Sequence, residues 1–451
     1  MKLRILGLLF LGLWQKAASF VTPKLRTTRV LVTHVTKDDS EQIIDEHSYF
    51  HESSRCNRRE ALSGALRTAS LITGSAMHPM IANGEESVNE VIPPLKTIPT
   101  VQLGKSNLSI SRTIQGYWQL SGGHGKYNPE EAIKNMQAHF KAGITTLDTA
   151  DIYGPSEQIV GRFLKDQSDA IVCTKFCCFK FLDEIDRTEV KTRVKKVRST
   201  TFNSNLFYYS IINVFLKACE RLQVDSIPLV QFFWSNYDIK KYVDVALMLT
   251  ELKEEGLIKE IGATNFDLKR LKELKEAGVP IVSHQVQLSC LDQRPVQSGM
   301  SEWCAENDIS LIGFGTVGSG ILSEKYLGRG PPLQEEKNTA SMRMYSKTAE
   351  RFGSWKQVQE LLQTLDAVAS EVRSSGRCTD CNISNVAQRY VLDTKSVASV
   401  LVGVRNRNHI EENVRTHSFE LNDAERIEIT KIMDKRNGPK GDVWDLERGY
   451  I

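Results

Sequence analysis

An aspartate, a tyrosine and a lysine fall where two short apolar segments end. The stretch from Thr146 to Leu164 reads TLDTADIYGPSEQIVGRFL. A buried strand is expected to end at Leu147, with Asp148 at its C-terminal end, Tyr153 in the loop that follows and a helix opening near Ser156. Ile171-Val172-Cys173-Thr174-Lys175 is a second apolar strand with a lysine at its end. Reducing a carbonyl takes a hydride to carbon and a proton to oxygen. A free phenol, with a pKa of about 10, is a poor acid at neutral pH. A nearby ammonium stabilises the phenolate and lowers that value, and a carboxylate beside the lysine keeps it charged and oriented. Tyr153 is therefore the candidate acid, Lys175 its tuner and Asp148 the lysine's partner.

These residues must be positioned by a scaffold, and the chain supplies a regular one. Apolar strand candidates recur at 113–116, 145–147, 170–174, 229–234, 258–264, 281–288, 310–314 and 397–402. Helical stretches lie between them at 130–142, 156–164, up to Leu222, 240–255, 268–277, 298–307, 355–372 and 409–415. In the first helix Ala132, Met136 and Phe140 lie four apart and mark one buried face, and Gly143 follows as a stop. This alternation predicts an α/β fold, a (β/α)₈ TIM barrel over 99–451. A doubly wound open sheet is the rival, but it announces its nucleotide site with a Gly-rich turn, and no GxGxxG follows the first strand. In a barrel, functional residues sit at the C-terminal strand ends, where Asp148, Lys175, Asn265 and Gly315 all fall.

Two segments exceed a compact barrel. The segment 180–218 is long for one loop and helix, and 200–214 is either an inserted elaboration or a gene-model error. The excursion 318–354 is read as a loop, and long loops at an active face are often lids. Its Arg343, Tyr345 and Lys347 could close over a ligand, and a solvated loop is the plainer alternative.

The 451 residues are 41% hydrophobic and 25% charged, with a formal charge of +3, which suits a globular chain. No clustered basic face suggests nucleic acid. The nine cysteines are odd in number and irregularly spaced, against a disulfide framework. Cys378-Thr-Asp-Cys381 is a CxxC without a second pair at metal-site spacing, so it reads as a turn before it reads as a zinc or redox site.

Residues 1–98 read as a disordered targeting presequence and linker. Lys2 and Arg4 precede an apolar run from Ile5 to Trp14 and small residues at Ala17-Ala18-Ser19, the layout of a signal peptide. That run is short for a membrane span, so no stable membrane insertion of the mature chain is expected. Phe20 then opens a basic, threonine-rich stretch to Lys37, which resembles the two-part plastid presequence of algae with secondary plastids. Plain secretion is the alternative. Asn57-Arg58-Arg59 before the small apolar run 63–82 resembles a twin-arginine signal into the thylakoid lumen.

The motifs together resemble the aldo/keto reductase superfamily over about residues 100–437. Thr149-Ala150-Asp151-Ile152-Tyr153-Gly154 with Ser156-Glu157 is similar to the family's tyrosine loop. Ile261-Gly262-Ala263-Thr264-Asn265-Phe266 is similar to its fifth-strand motif, and Gln285-Val286-Gln287 with Arg294-Pro295 to the sixth-strand region. Val402-Gly403-Val404-Arg405 with His409 to Asn413 is similar to the cofactor-tail motif.

The resemblance implies NADPH as cofactor, a small-molecule carbonyl substrate, and stroma rather than lumen as the place where reduced cofactor is available. It also implies that Thr264, Asn265 and Gln285 hold the nicotinamide carboxamide and Phe314 stacks on its ring. Gly315 and Thr316 would pass the pyrophosphate, Arg405 or Arg407 would read the 2′-phosphate, and Glu412 and Asn413 would reach the adenine. Trp118, Phe233 and Trp444 are candidate walls of the substrate pocket. The family usually adds a histidine on the fourth strand; here Phe233 stands there. A phenylalanine donates no hydrogen bond, and losing such a donor costs about 2.7–4 kcal/mol of transition-state stabilisation. A cofactor-binding module without turnover is therefore the rival to an enzyme.

Overall fold

The computed structural model describes residues 98–177 and 214–449. The leader 1–97 and most of 200–214 lie outside the described residues. Among the described residues there are ten strands: β1 (Thr100–Gln102), β2 (Ser109–Ser111), β3 (Thr113–Gly116), β4 (Thr146–Asp148), β5 (Ile171–Cys177), β6 (Ile227–Phe233), β7 (Ile258–Thr264), β8 (Ile281–Gln287), β9 (Ser310–Phe314) and β10 (Val397–Gly403). β3 to β10 pair in parallel and close on themselves, β10 bonding to both β3 and β9, which is the expected eight-stranded barrel.

β1 and β2 form an antiparallel hairpin that the strand count did not anticipate. Its polar and small residues carry no long apolar run, so periodicity is silent there. The hairpin plugs the N-terminal end of the barrel. Leu103 and Ile110, both 0% exposed, pack with Ile114, Cys173, Leu229 and Ile312. Gly104 makes the turn at φ +50, and a Cβ there would lie 2.2 Å from the Asp308 carbonyl oxygen, so only glycine fits. With that end sealed, the opposite end is left for chemistry.

Local chemistry sets the helices. Pro129–Lys141 starts on Asn128, whose side chain accepts from the Glu130 and Glu131 N–H groups, and Pro129 fills the first turn. Its stop is Gly143 at φ +88. Three helices of ten residues or more escape the sequence reading: Ala340–Phe352, Ile383–Leu392 and Asp423–Met433. The last two lie beyond the spans where the apolar period was followed, and the first was read as loop. They build a second apolar core with Trp355–Ser374, including Leu361, Leu365, Val386 and Ile429.

Of the four buried histidines among the described residues, all with lowered pKa, two are pushed furthest toward the neutral form. His284 accepts the Phe266 N–H through Nε2 (3.1 Å), and burial pushes its pKa down to about 3. His417 bonds Thr113 Oγ1 (2.7 Å), and burial, with Arg389 and Arg112, pushes it down to about 4. Unfolding returns both to about 6.5, so below that pH the unfolded chain binds more protons and stability falls with pH. At about 1.4 kcal/mol per unit, and with the unfolded rings only half-protonated at pH 6.5, the pair should remove roughly 3 kcal/mol between pH 6.5 and pH 5. Denaturant midpoints measured at pH 7 and pH 5 check this; equal midpoints would mean that these rings are not held neutral.

Candidate active site

Alternate barrel strands contribute side chains to one interior layer, and β4, β6 and β8 place polar groups there. Asp148, 2% exposed, ends β4. Its Oδ1 accepts from Gln231 Nε2 on β6 (2.7 Å) and Gln285 Nε2 on β8 (2.8 Å). Gln285 also donates to Gln231 Oε1 (2.9 Å). The other carboxylate oxygen takes the ammonium of Lys175, which also donates to the Thr149 carbonyl (3.1 Å). A buried ion pair survives desolvation only when its remaining lone pairs and protons are satisfied, and the two amides and the carbonyl do that. β5 runs on to Cys177, so Lys175 lies inside the strand rather than at its end.

Tyr153 sits on the loop after β4, with Lys175 Nζ 5.0 Å from its ring centroid. The residue is half-buried, and the surrounding protein removes enough water to push the phenol up to about 12. Lys175 opposes that rise and Asp148 adds to it. This corrects the expectation of a phenol more acidic than usual: desolvation of the phenolate outweighs the ammonium. At neutral pH Tyr153 is a hydrogen-bond donor. Burial works against the charge of Lys175, but Asp148 and then Tyr153 carry its pKa above the ordinary lysine value, so it is an ammonium.

The residues named for a cofactor line the same end of the barrel. Thr264, 2% exposed, ends β7 and donates to the Gln285 carbonyl (3.1 Å). Asn265 follows in the left-handed region at φ +57. Its backbone is pinned, the N–H to Gln285 O (3.0 Å) and the carbonyl to Arg448 Nη2 (2.8 Å). Its Oδ1 is buried with no hydrogen-bond partner among the described residues. An unpaired buried oxygen costs about 1–3 kcal/mol, so this atom fits an incoming amide donor such as a nicotinamide carboxamide.

Phe314 ends β9, Gly315 follows at φ +75, and Thr316 is 1% exposed. A Cβ on Gly315 would lie 2.5 Å from Cε1 of Tyr345 and 2.9 Å from its hydroxyl. Tyr345 belongs to Ala340–Phe352, where the excursion 318–354 turns helical. Gln287 Nε2 holds this helix over the strand ends through Thr348 Oγ1 (3.0 Å), as do the Ser319 and Ser341 hydroxyls (3.1 Å). Of the three residues expected to close over the site, Tyr345 lies over Gly315, Arg343 bonds the Lys337 carbonyl (3.2 Å) and Lys347 faces solvent.

Further out, Arg405 is exposed, and Asn135 Nδ2 holds its carbonyl (3.0 Å). Arg407 lies 3.7 Å from Glu131. Glu412 accepts from Asn382 Nδ2 (3.0 Å) and pairs with His409 Nδ1 (2.6 Å), beside the buried Asn413. Of the expected walls, Phe233 and Trp444 meet edge to face at 6.3 Å, while Trp118 packs against His124 at 4.9 Å.

Sequence reasoning missed Gln231 and Arg448. Gln231 had a signal, being the polar residue inside the apolar run Ile227–Phe233. Arg448 had none. It reaches the Trp234 carbonyl (2.9 Å) and Asn265 because the tail is anchored by Glu447, which bonds the buried Arg294 (2.8 Å) and Arg351 (3.1 Å).

A family model described as "Aldo/keto reductase family" matches residues 113–434. The chain belongs to that family. This aldo/keto reductase is 24% identical over 345 residues to a chloroplastic pyridoxal reductase of Arabidopsis thaliana, covering 71% of this chain and 83% of the relative. It is 25% identical over 339 residues to an NADH-specific methylglyoxal reductase of Escherichia coli (strain K12), covering 73% and 96%. Among solved structures it resembles a glycerol dehydrogenase from Gluconobacter oxydans, with a TM-score of 0.59 at 19% identity over 76% of this chain and 97% of that one. The holo form of an aldo-keto reductase from Bacillus halodurans gives a TM-score of 0.55 at 24% identity over 78% and 99%. Family membership makes this aldo/keto reductase an oxidoreductase of carbonyl compounds. Its fourth barrel strand presents Phe233 beside Cys177, one pleat beyond the Lys175–Gln231 pair.

Proposed function

We propose that the chain reduces aldehydes or ketones to alcohols with NADPH, and that Tyr153 gives the proton to the oxygen. The observation that carries this reading is the Lys175–Asp148 pair at the Tyr153 ring, at the open end of the barrel. When bound, the cofactor would supply a hydride for the carbonyl carbon. The protein's part is to hold and to donate. Thr264, Asn265 and Gln285 would hold the carboxamide, Phe314 the ring face, and Gly315 and Thr316 the pyrophosphate path. Arg405 would take the 2′-phosphate, with Glu412 and Asn413 at the adenine. The Tyr153 hydroxyl donates to the substrate oxygen as charge grows there. A phenol at about 12 still loses its proton readily to an alkoxide, a far stronger base. Lys175 faces the resulting phenolate, and Asp148 keeps that ammonium in place.

The leader and the chloroplastic relative support a plastid location, the stroma before the lumen, with secretion as the other destination. Phe233 favours a second reading, a module that binds NADPH without turning over.

Stopped-flow mixing of the protein and NADPH with a panel of reactive aldehydes separates the two. The expected result is NADPH oxidation; binding without oxidation would establish the second reading. Running NADPH and NADH side by side tests the cofactor, since one relative is NADH-specific. Arg405→Ala should weaken NADPH about three- to tenfold, a charge-assisted contact discounted for exposure, and leave NADH nearly unchanged. Equal losses would remove Arg405 from the 2′-phosphate.

A further inference from the structure

The CxxC at 378–381 is a turn, as its sequence suggested, but its surroundings give the two thiols a further role. The Cys381 N–H donates to the Cys378 carbonyl (3.4 Å), which closes the turn and puts both cysteines on it. Both are free, at 7% and 1% exposure, while Thr379 and Asp380 at the tip face solvent. The turn is tied to the helix Ile410–Arg415. Arg415 Nη1 donates to the Asp380 carbonyl (3.1 Å). Asn382, next to Cys381, donates to Glu412 Oε1 (3.0 Å) while capping Ile383–Leu392. Asn385, one turn on, donates to the Glu412 carbonyl (2.7 Å) and to Thr416 Oγ1 (2.9 Å). The Cys381 thiol also donates to the Asn382 carbonyl (3.9 Å).

We infer that Cys378 and Cys381 are a thiol–disulfide modification site whose oxidation loosens the helix bearing Glu412 and Asn413 and thereby weakens cofactor binding. The affinity part rests on the proposal that this helix holds the adenine. The oxidant is a disulfide, RSSR, either a small one or that of a dithiol oxidoreductase docking at the exposed tip. The Cys378 thiolate attacks one sulfur and expels a thiolate that takes up a proton. Cys381 gives up its proton and attacks the Cys378 sulfur, expelling the second thiol. Two cysteines are oxidised, and one RSSR becomes two RSH. Burial raises both thiols, Cys381 to about 12, so exchange with a small disulfide is slow at neutral pH and quickens as pH rises. Oxidation removes the Cys381 S–H donor and draws in the turn on which Asn382 and Arg415 depend.

The full chain is incubated with oxidised glutathione and read in three ways: by differential alkylation with peptide mass, by NADPH titration, and by hydrogen exchange over 410–416. The expected result is a Cys378–Cys381 disulfide, faster exchange in that helix, and a Kd raised at least about fivefold, the low end of coupling between linked sites. Dithiothreitol should reverse all three, and Cys378→Ser should abolish the response, with Cys381→Ala as the second variant should Cys378→Ser fold poorly. Absence of the disulfide at pH 8.5, or a disulfide that leaves both exchange and affinity unchanged, overturns the inference. Faster exchange in a chain that binds no NADPH in either state supports the switch and counts against the cofactor reading instead.

Discussion

Tyr153→Phe should slow carbonyl reduction by about 10²–10⁴-fold, the range for removing a positioned general acid, and leave NADPH affinity within about twofold. The change deletes one oxygen and keeps the ring beside Lys175, whose ammonium lies 5.0 Å from its centroid. Neither Lys175 nor Phe233 can replace the proton. Lys175 is committed to Asp148 and Thr149, and Phe233, where the family usually has a histidine, has nothing to donate. Tyr345 is the nearest candidate for rescue. It too is a protonated phenol, its pKa raised by burial and further by the nearness of Tyr153. Residual activity in Tyr153→Phe that disappears in the double variant with Tyr345→Phe would therefore assign the remainder to Tyr345. The wild-type pH profile gives an independent check. A phenol at about 12 stays protonated through pH 10, so the Tyr153 proton should impose no fall in reduction rate between pH 7 and pH 10. Oxidation of the alcohol, which needs the phenolate, should speed up across the same range. Unchanged single-turnover reduction in Tyr153→Phe would remove Tyr153 as the acid.

The barrel was legible because parallel strands buried on both faces read as apolar runs, and all eight of its strands were located that way. The proposed catalytic group was legible for a different reason. Asp148 ends one such run and Lys175 interrupts another, and burial at 2% and 7% is tolerable there only as a pair. What escaped detection depends on contacts between distant segments. The plug hairpin has no periodicity of its own, and Gly104 reveals its purpose only beside Asp308. Tyr345 was named in a loop, but its place over Gly315 depends on how Ala340–Phe352 crosses the mouth. The phenol's net shift could not be read from neighbours alone, because it depends on how much water the fold removes. Gln231 shows the intermediate case: its polarity was visible in the sequence, and its partner was not.

Lys175→Met should cost both stability and turnover, and comparison with Asp148→Asn tells the two roles apart. The pair lies 8% and 3% exposed at its side chains. Breaking a buried pair by removing one partner costs about 3–5 kcal/mol, because the other charge is left uncompensated. After Lys175→Met, Asp148 still accepts from Gln231 and Gln285, so the loss should sit near the lower end. After Asp148→Asn, the ammonium keeps the Thr149 carbonyl, the Tyr153 ring and the neutral amide but no carboxylate, so the loss should be larger. The double variant buries no unpaired charge and should be less destabilised than the sum of the singles, with a coupling of about 2–3 kcal/mol. Denaturant midpoints measure all four states; simple additivity would mean that the two side chains do not act as a pair. Turnover should not recover with stability. In Lys175→Met and in the double variant the phenol loses the ammonium that offsets its burial, rises further above its ordinary pKa and becomes a weaker acid. Reduction should therefore stay slow even where the fold is restored. A double variant that regained both would make the lysine a structural group and leave Tyr153 to work unaided.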